Sequence, residues 1–192
     1  MSVPKPSALD SSADFPAVVA RLQDEIAQLK QKVAQLDRLA HEDALVGLPN
    51  RRGFMRNLDR LIERVRRYGD SAALLFIDLD GLKMINDTYG HSAGDQALMQ
   101  VAERLVQGVR ASDCVARIGG DEFGVLLEYA DEASARETAA RLVATVAGRE
   151  FIHDGEVLPL SVAIGVSIIA EADRAKDVIA RADAEMYEAK SA

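Results

Sequence analysis

Two carboxylate pairs stand out in this 192-residue sequence for the chemistry they could do: Asp78 with Asp80, and Asp121 with Glu122. Asp121 and Glu122 follow Gly119-Gly120, a dipeptide without side-chain cover, so a polyphosphate and a hard cation could approach that backbone closely. Asp78 and Asp80 close a stretch, residues 72–79, that reads as a buried strand, and their two-residue spacing points both to one side of it. Gly81-Leu82-Lys83 then opens a helix. Its first N–H groups, its positive dipole end and the lysine together make a phosphate cradle. Each feature has a plainer reading on its own. An acidic turn is usually just solvated, and a strand-end aspartate is often a cap.

These residues need elements to hold them. Apolar segments on both sides of Gly119-Gly120 (Cys114-Val115-Ala116 before, residues 123–127 after) predict a β-hairpin, with glycine at the turn because it enters φ > 0 freely. A loop with Gly47 and Pro49 leads into a helix over 51–67, with Phe54, Leu58, Leu61 and Val65 on one face. Asp43 in that loop could pair with Arg51 or Arg52 and fix the loop against the domain, or the two arginines are simply solvated. Residues 89–95 read as a loop before an amphipathic helix ending near 109. Asp95 there is either that helix's N-cap or an exposed acceptor for a ligand. Beyond the hairpin come a helix over 131–147, a second hairpin turning at Asp154-Gly155, a strand over 160–169 and a final helix over 174–189. That last helix is expected to turn Val178, Ile179, Ala182, Met186 and Tyr187 inward. His153 has no metal-binding company and reads as structural.

The N-terminal part is different. Residues 1–16, with Pro4, Pro6 and Pro16 and no apolar period, read as a disordered tail. Over 17–42, Val19, Leu22, Ile26, Leu29, Val33, Leu36 and Ala40 keep a 3,4 spacing, with Leu at each d and β-branched residues at most a positions. This predicts a parallel two-stranded coiled coil. Glu25 would face Lys30 of the partner helix, and Lys32 would face Asp37. The bland alternative is an amphipathic helix packed on its own domain. The catalytic-type pattern occupies 43–192.

A net charge of −8 argues against a nucleic-acid groove, though not against a nucleotide as small ligand. The longest apolar run, residues 72–77, is too short to span a bilayer, and no charged-then-apolar leader opens the chain. Cys114 is the only cysteine, which excludes an intrachain disulfide and suits a reducing cytoplasm.

Five ordered motifs resemble the GGDEF family, the diguanylate cyclases: DALVGLPNRR (43–52), FIDLDGLKMINDTYGHSAGD (76–95), RASDCVARIGGDEF (110–123), SVAIGVS (161–167) and ADAEMYEAK (182–190). The resemblance covers about residues 41–190. It implies an α/β (α+β), palm-like domain similar to class III nucleotidyl cyclases, a mainly antiparallel sheet flanked by helices. It implies that Asp78, Glu122 and the Leu79 carbonyl hold two Mg2+ ions per GTP, with Mn2+ as a substitute. Asp121 then helps activate the 3′-hydroxyl. Asn86 and Asp95 read guanine, and Lys83, Lys190 and the backbone at Gly81 and Leu82 contact phosphate. The implied reaction joins two GTP into cyclic di-GMP, so two domains must meet, and the coiled coil would make the homodimer. Arg110 and Asp113 match the family's RxxD site for inhibition by the product, with Arg141 as an additional arginine. A regulatory protein partner is expected at the N-terminal helix.

Some positions depart from the family. Val46 stands where Thr is usual, Gly81-Leu82 where bulkier residues are common, and Ile118 where an aromatic is common. The family usually continues past the Lys190 position with a Gly-Arg-Asn segment that contacts phosphate. Here the sequence stops at Ala192, so either it is cut short or triphosphate binding is weaker. The alternatives are a catalytically silent cyclic di-GMP receptor signalling through its coiled coil, and an interaction module. Intact Asp78, Asp121 and Glu122 argue against both.

Overall fold

The computed structural model describes residues 15–191. Most of the predicted tail lies outside this range. The chain divides into a unit up to Leu39 and a compact unit from Ala40 onward.

The first unit is a helix, α1, Phe15–His41, and none of its residues is buried. Its described residues open at Phe15, inside the stretch read as tail. The heptad residues Leu22, Ile26, Leu29, Val33 and Leu36 are all more than half exposed.

The second unit runs α2 Arg51–Tyr68, β1 Ala72–Leu79, α3 Leu82–Tyr89, α4 His91–Gln107, β2 Cys114–Arg117, β3 Glu122–Glu128, α5 Glu132–Ala147, β4 Phe151–His153, β5 Glu156–Leu158, β6 Val162–Ile168 and α6 Ala175–Ser191. Four strands form one antiparallel sheet in the order β2-β3-β1-β6, and β4 with β5 form a separate two-stranded sheet.

The period of two along β1 decides which helices cover which face. Ala73, Leu75, Ile77 and Leu79 join the core under α3, α4 and α5. Ala72, Leu74 and Phe76 join the core under α2 and α6, among Phe54, Leu58, Val178 and Met186. Asp78 continues the second set, so it leaves the sheet on the α2/α6 side. Phe76 is flanked in register by Gly124 on β3 and Gly165 on β6. A Cβ at Gly124 would strike the Phe54 ring, and one at Gly165 would strike the backbone of α6 at Ala182 and Met186. These two glycines let α2 lie close against β3 and α6 close against β6, the two strands that flank β1.

Four sequence expectations change. Residues 89–95 are not a loop: Gly90 alone, at φ 85°, separates α3 from α4, so Asp95 lies inside α4 and does not cap it. That helix also ends at Gln107, stopped by Gly108. Asp43 pairs with Arg117, not with Arg51 or Arg52, which start α2 under an Asn50 cap. Tyr187 is exposed, while Val178, Ala182 and Met186 are buried as expected. Among the described residues no helix is long and apolar enough to cross a membrane.

Candidate active site

Antiparallel pairing of β1 with β3 sets Asp78 directly opposite Glu122. The register holds because the following backbone is also tied: Leu79 N–H donates to the Asp121 carbonyl at 2.9 Å and Asp80 N–H to the Ser161 carbonyl at 3.0 Å. Ser161 Oγ donates to Asp80 Oδ2 at 2.8 Å, which orients that carboxylate. Four acidic side chains, Asp78, Asp80, Asp121 and Glu122, therefore gather at one end of the sheet.

The reason for the double glycine differs from the one the sequence suggests. Neither Gly119 nor Gly120 has positive φ. A Cβ at Gly119 would collide with the Glu122 carboxylate, so the glycine makes room for that side chain to fold back over the turn. The turn itself closes through Ile118 N–H donating to the Glu122 carbonyl at 2.8 Å.

Burial first, and then the negative charges of Asp121 and Asp78, push the Glu122 carboxyl above its ordinary range, while Arg51 opposes the shift. Such a set of oxygen donors in mutual repulsion fits a hard divalent cation. Among the described residues no group of three or more acidic, His or Cys side chains surrounds a single point. A metal here would therefore be held by Asp78, Glu122 and a backbone carbonyl, with ligand oxygens completing the shell.

Lys190, from the last turn of α6, reaches into the same cluster. Its Nζ bonds Asp78 Oδ1 at 2.5 Å and lies 4.0 Å from Asp80 Oδ1. Beside them α3 begins at Gly81, in the left-handed conformation at φ 71°, with no side chain capping the helix start. The first N–H groups of α3 are thus open to an anionic ligand, and exposed Lys83 stands in that first turn.

Asn86 lies in the middle of α3 and Asp95 in the second turn of α4. The Asn86 carboxamide rests over Gly94, where a Cβ would collide with its Oδ1, and exposed Asp95 is the next residue. An amide and a carboxylate thus flank this corner on successive helices. Gly94 was not legible as part of the site, because a glycine inside a helix carries no chemical signal.

The RxxD pair sits away from this corner, on the turn before β2. Arg110 N–H donates to Asp113 Oδ2 at 2.9 Å, and Glu128 N–H donates to Asp113 Oδ1 at 3.2 Å. Arg110 and Asp113 line a cavity of about 540 Å³ with Val106 and Pro49. Arg141, from α5, donates to the Gly108 carbonyl at 3.0 Å, close by in sequence to Arg110.

Arg117 and Asp43 are further residues that single-sequence reasoning did not assign to the site. Arg117 bonds both Asp43 oxygens at 3.3 Å and donates to the Gly120 carbonyl at 2.8 Å. The signal available was an arginine flanked by apolar strand residues directly before the double glycine.

Comparison with known proteins places the chain in a family. Residues 40–192 match the family described as "Diguanylate cyclase, GGDEF domain". The chain is 39% identical over 179 residues to the diguanylate cyclase TpbB of Pseudomonas aeruginosa, covering 92% of this chain and 41% of that protein. It is 42% identical over 156 residues to the response regulator PleD of Caulobacter vibrioides, covering 80% and 34%. The chain thus spans about two fifths or less of these curated relatives. Among solved structures, the coiled coil and GGDEF domain of DgcB from Caulobacter crescentus, in complex with c-di-GMP, superimposes with a TM-score of 0.86 at 26% identity, covering 93% of this chain and 95% of that one. The diguanylate cyclase SiaD of Pseudomonas aeruginosa, in complex with its activator SiaC, gives 0.78 at 30% identity, covering 94% and 70%.

Proposed function

The chain belongs to the GGDEF-domain family, and from that membership we propose that it condenses two GTP into cyclic di-GMP with release of two pyrophosphates. The observation that carries this reading is Asp78 facing Glu122 across β1 and β3, beside the uncapped start of α3. Asp78, Glu122 and the Leu79 carbonyl would hold Mg2+, two ions per GTP. When bound, the metal lowers the pKa of the attacking hydroxyl and offsets charge at the α-phosphate.

The chain's own residues do the rest. The α3 N-terminus and Lys83 orient the triphosphate, and Lys190 is within reach of it. Asn86 and Asp95 hold the guanine edge by complementary donors and acceptors. Asp121, adjacent to Glu122, takes the proton from the 3′-hydroxyl. The 3′-oxygen forms a bond to the α-phosphorus of the opposing GTP, and the bond to pyrophosphate breaks in line.

One domain holds one GTP, so the reaction needs two domains face to face. The exposed apolar seam of α1 suits a parallel coiled-coil homodimer, which raises the effective concentration of the second half-site. A regulatory protein partner would act at the same helix. Arg110 and Asp113, supported by Arg141, are assigned to product inhibition.

Incubation with GTP and Mg2+, followed by chromatographic identification of the product, tests the reading. Cyclic di-GMP should form with the wild type and not with Glu122→Gln. No product from the wild type would reject a cyclase.

A further inference from the structure

The β4–β5 hairpin neither joins the four-stranded sheet nor carries a residue with an assigned role. A lone two-stranded hairpin is marginal in water, so what fixes it matters. Its base is buried: Phe151 and Leu158 enter the core under α4 and α5. Its polar contacts go to two helices. His153 Nδ1 is 3.1 Å from Gln96 Oε1 on α4, and Tyr89 OH, at the end of α3, donates to Glu156 Oε2 at 3.1 Å. The Tyr89 and His153 rings meet edge to face at 6.4 Å.

The segment entering β4 is held as firmly. Arg104 of α4 is 2% exposed and donates to the carbonyls of Val146, Arg149 and Glu150 at 2.8, 3.1 and 3.0 Å. Its remaining partner is the Gln100 amide oxygen at 3.4 Å, so among the described residues it hydrogen-bonds no carboxylate. A guanidinium buried against neutral carbonyls is a costly way to join a helix to a hairpin.

The two grips of the hairpin fall at the corner assigned to base recognition. Tyr89 is the last residue of α3, the helix of Asn86, and Gln96 directly follows Asp95. Between the helices lies Gly90 alone, and no atom lies within 4 Å of where its Cβ would be. α3 has two turns and one buried residue, Ile85. The joint has room on its outer side, so its angle is set by contacts between the helices, Asn86 over Gly94 among them, and by what grips each helix from outside.

We propose that the β4–β5 hairpin is a strut for base recognition: by holding Tyr89 and Gln96 it fixes the angle between α3 and α4, and with it the spacing of Asn86 from Asp95 that selects guanine. This rests on the guanine reading above and deepens it. Tyr89, Gln96, His153 and Glu156 are positioning residues.

The test compares the wild type, Glu156→Gln, and the double variant Tyr89→Phe with His153→Phe, which removes both polar grips and keeps the rings. GTP affinity is measured by calorimetry, and turnover is measured with GTP and with inosine triphosphate, which lacks the 2-amino group. Losing two hydrogen bonds should raise the GTP dissociation constant and KM roughly tenfold, with kcat within about twofold. The preference for GTP over inosine triphosphate should fall. Glu156→Gln, still an acceptor for Tyr89, should stay near wild type. Unchanged affinity and preference in the double variant, with or without lower thermal stability, would overturn the strut. If that variant does not fold, Tyr89→Phe alone, at an exposed contact, is measured, with a roughly threefold shift expected; no shift is the overturning result. A wild type that binds GTP without forming product overturns only the cyclase reading, and one that binds no GTP overturns both.

Discussion

Lys190 and Asp78 form an ion pair 2.5 Å long that joins the end of α6 to the end of β1. The hydrogen bond to Asp78, more than any other cause, raises the Lys190 pKa above its ordinary value. A divalent ion held by Asp78 would compete with this ammonium for the carboxylate, and Lys190 would then be free to meet phosphate. Lys190→Met should therefore strengthen binding of Mn2+, used as the probe in the absence of nucleotide, while weakening GTP binding. Lys190 is 42% exposed, so solvent screening limits the gain in metal affinity to roughly two- to fivefold. Paramagnetic titration and calorimetry read the two effects, and a loss of affinity for both ligands would contradict the displacement.

Asp43 and Arg117 link the loop before α2 to the Gly119-Gly120 turn. Asp43 Oδ1 also accepts from Leu45 and Val46 N–H, at 3.0 and 3.1 Å, so one carboxylate closes its own loop and holds the arginine. Asp43→Asn keeps an oxygen for the loop but leaves a largely buried guanidinium without its counter-ion. The expected loss is about 1–3 kcal/mol in urea unfolding, with unchanged m. Activity should fall as well, because Arg117 also holds the Gly120 carbonyl. Stability and turnover equal to wild type would remove the pair from both roles.

How far the sequence carries can be judged from particular residues. β1 is readable to its last residue, because an apolar run from Ala72 to Ile77 leads into Asp78-Leu79 and stops at a charge and a glycine. The convergence of Asp78 with Glu122 came from the resemblance, since nothing local states which strands pair. The α3–α4 break does not show in the sequence, because Gly90, His91 and Ser92 look like loop residues while a single glycine at positive φ suffices. The partners of Asp43, Lys190 and Arg104 depend on which side chains the tertiary fold brings within reach. Sequence spacing carries no record of that.

Acid sensitivity should be traceable to α6. Arg181 grips both oxygens of Asp173, at 2.9 and 2.7 Å, and its hydrogen bonds hold the Asp173 carboxyl below its ordinary pKa. A depressed carboxyl contributes stability that is present above the unfolded value, about 3.9, and is lost as pH falls through the folded value. Asp173→Asn should be less stable than wild type at neutral pH, and the difference should shrink below about pH 4. Urea midpoints across that range measure it, and a gap that stays constant with pH would assign the cost to packing.

Arg110 and Asp113 should separate inhibition from stability. The Asp113 carboxylate is held by the N–H groups of Arg110 and Glu128, so it staples its own turn to β3. The Arg110 side chain is exposed at the rim of the cavity the two share. Arg110→Ala should change unfolding stability by less than about 0.5 kcal/mol. In a GTP reaction it should let cyclic di-GMP accumulate beyond the wild-type plateau, because a forked donor for guanine or phosphate is gone. Asp113→Ala should relieve inhibition too, but with a loss of about 1–2 kcal/mol as two backbone donors lose their acceptor. Progress curves and thermal unfolding on the same samples distinguish the two variants, and an unchanged plateau for Arg110→Ala rejects inhibition through this site.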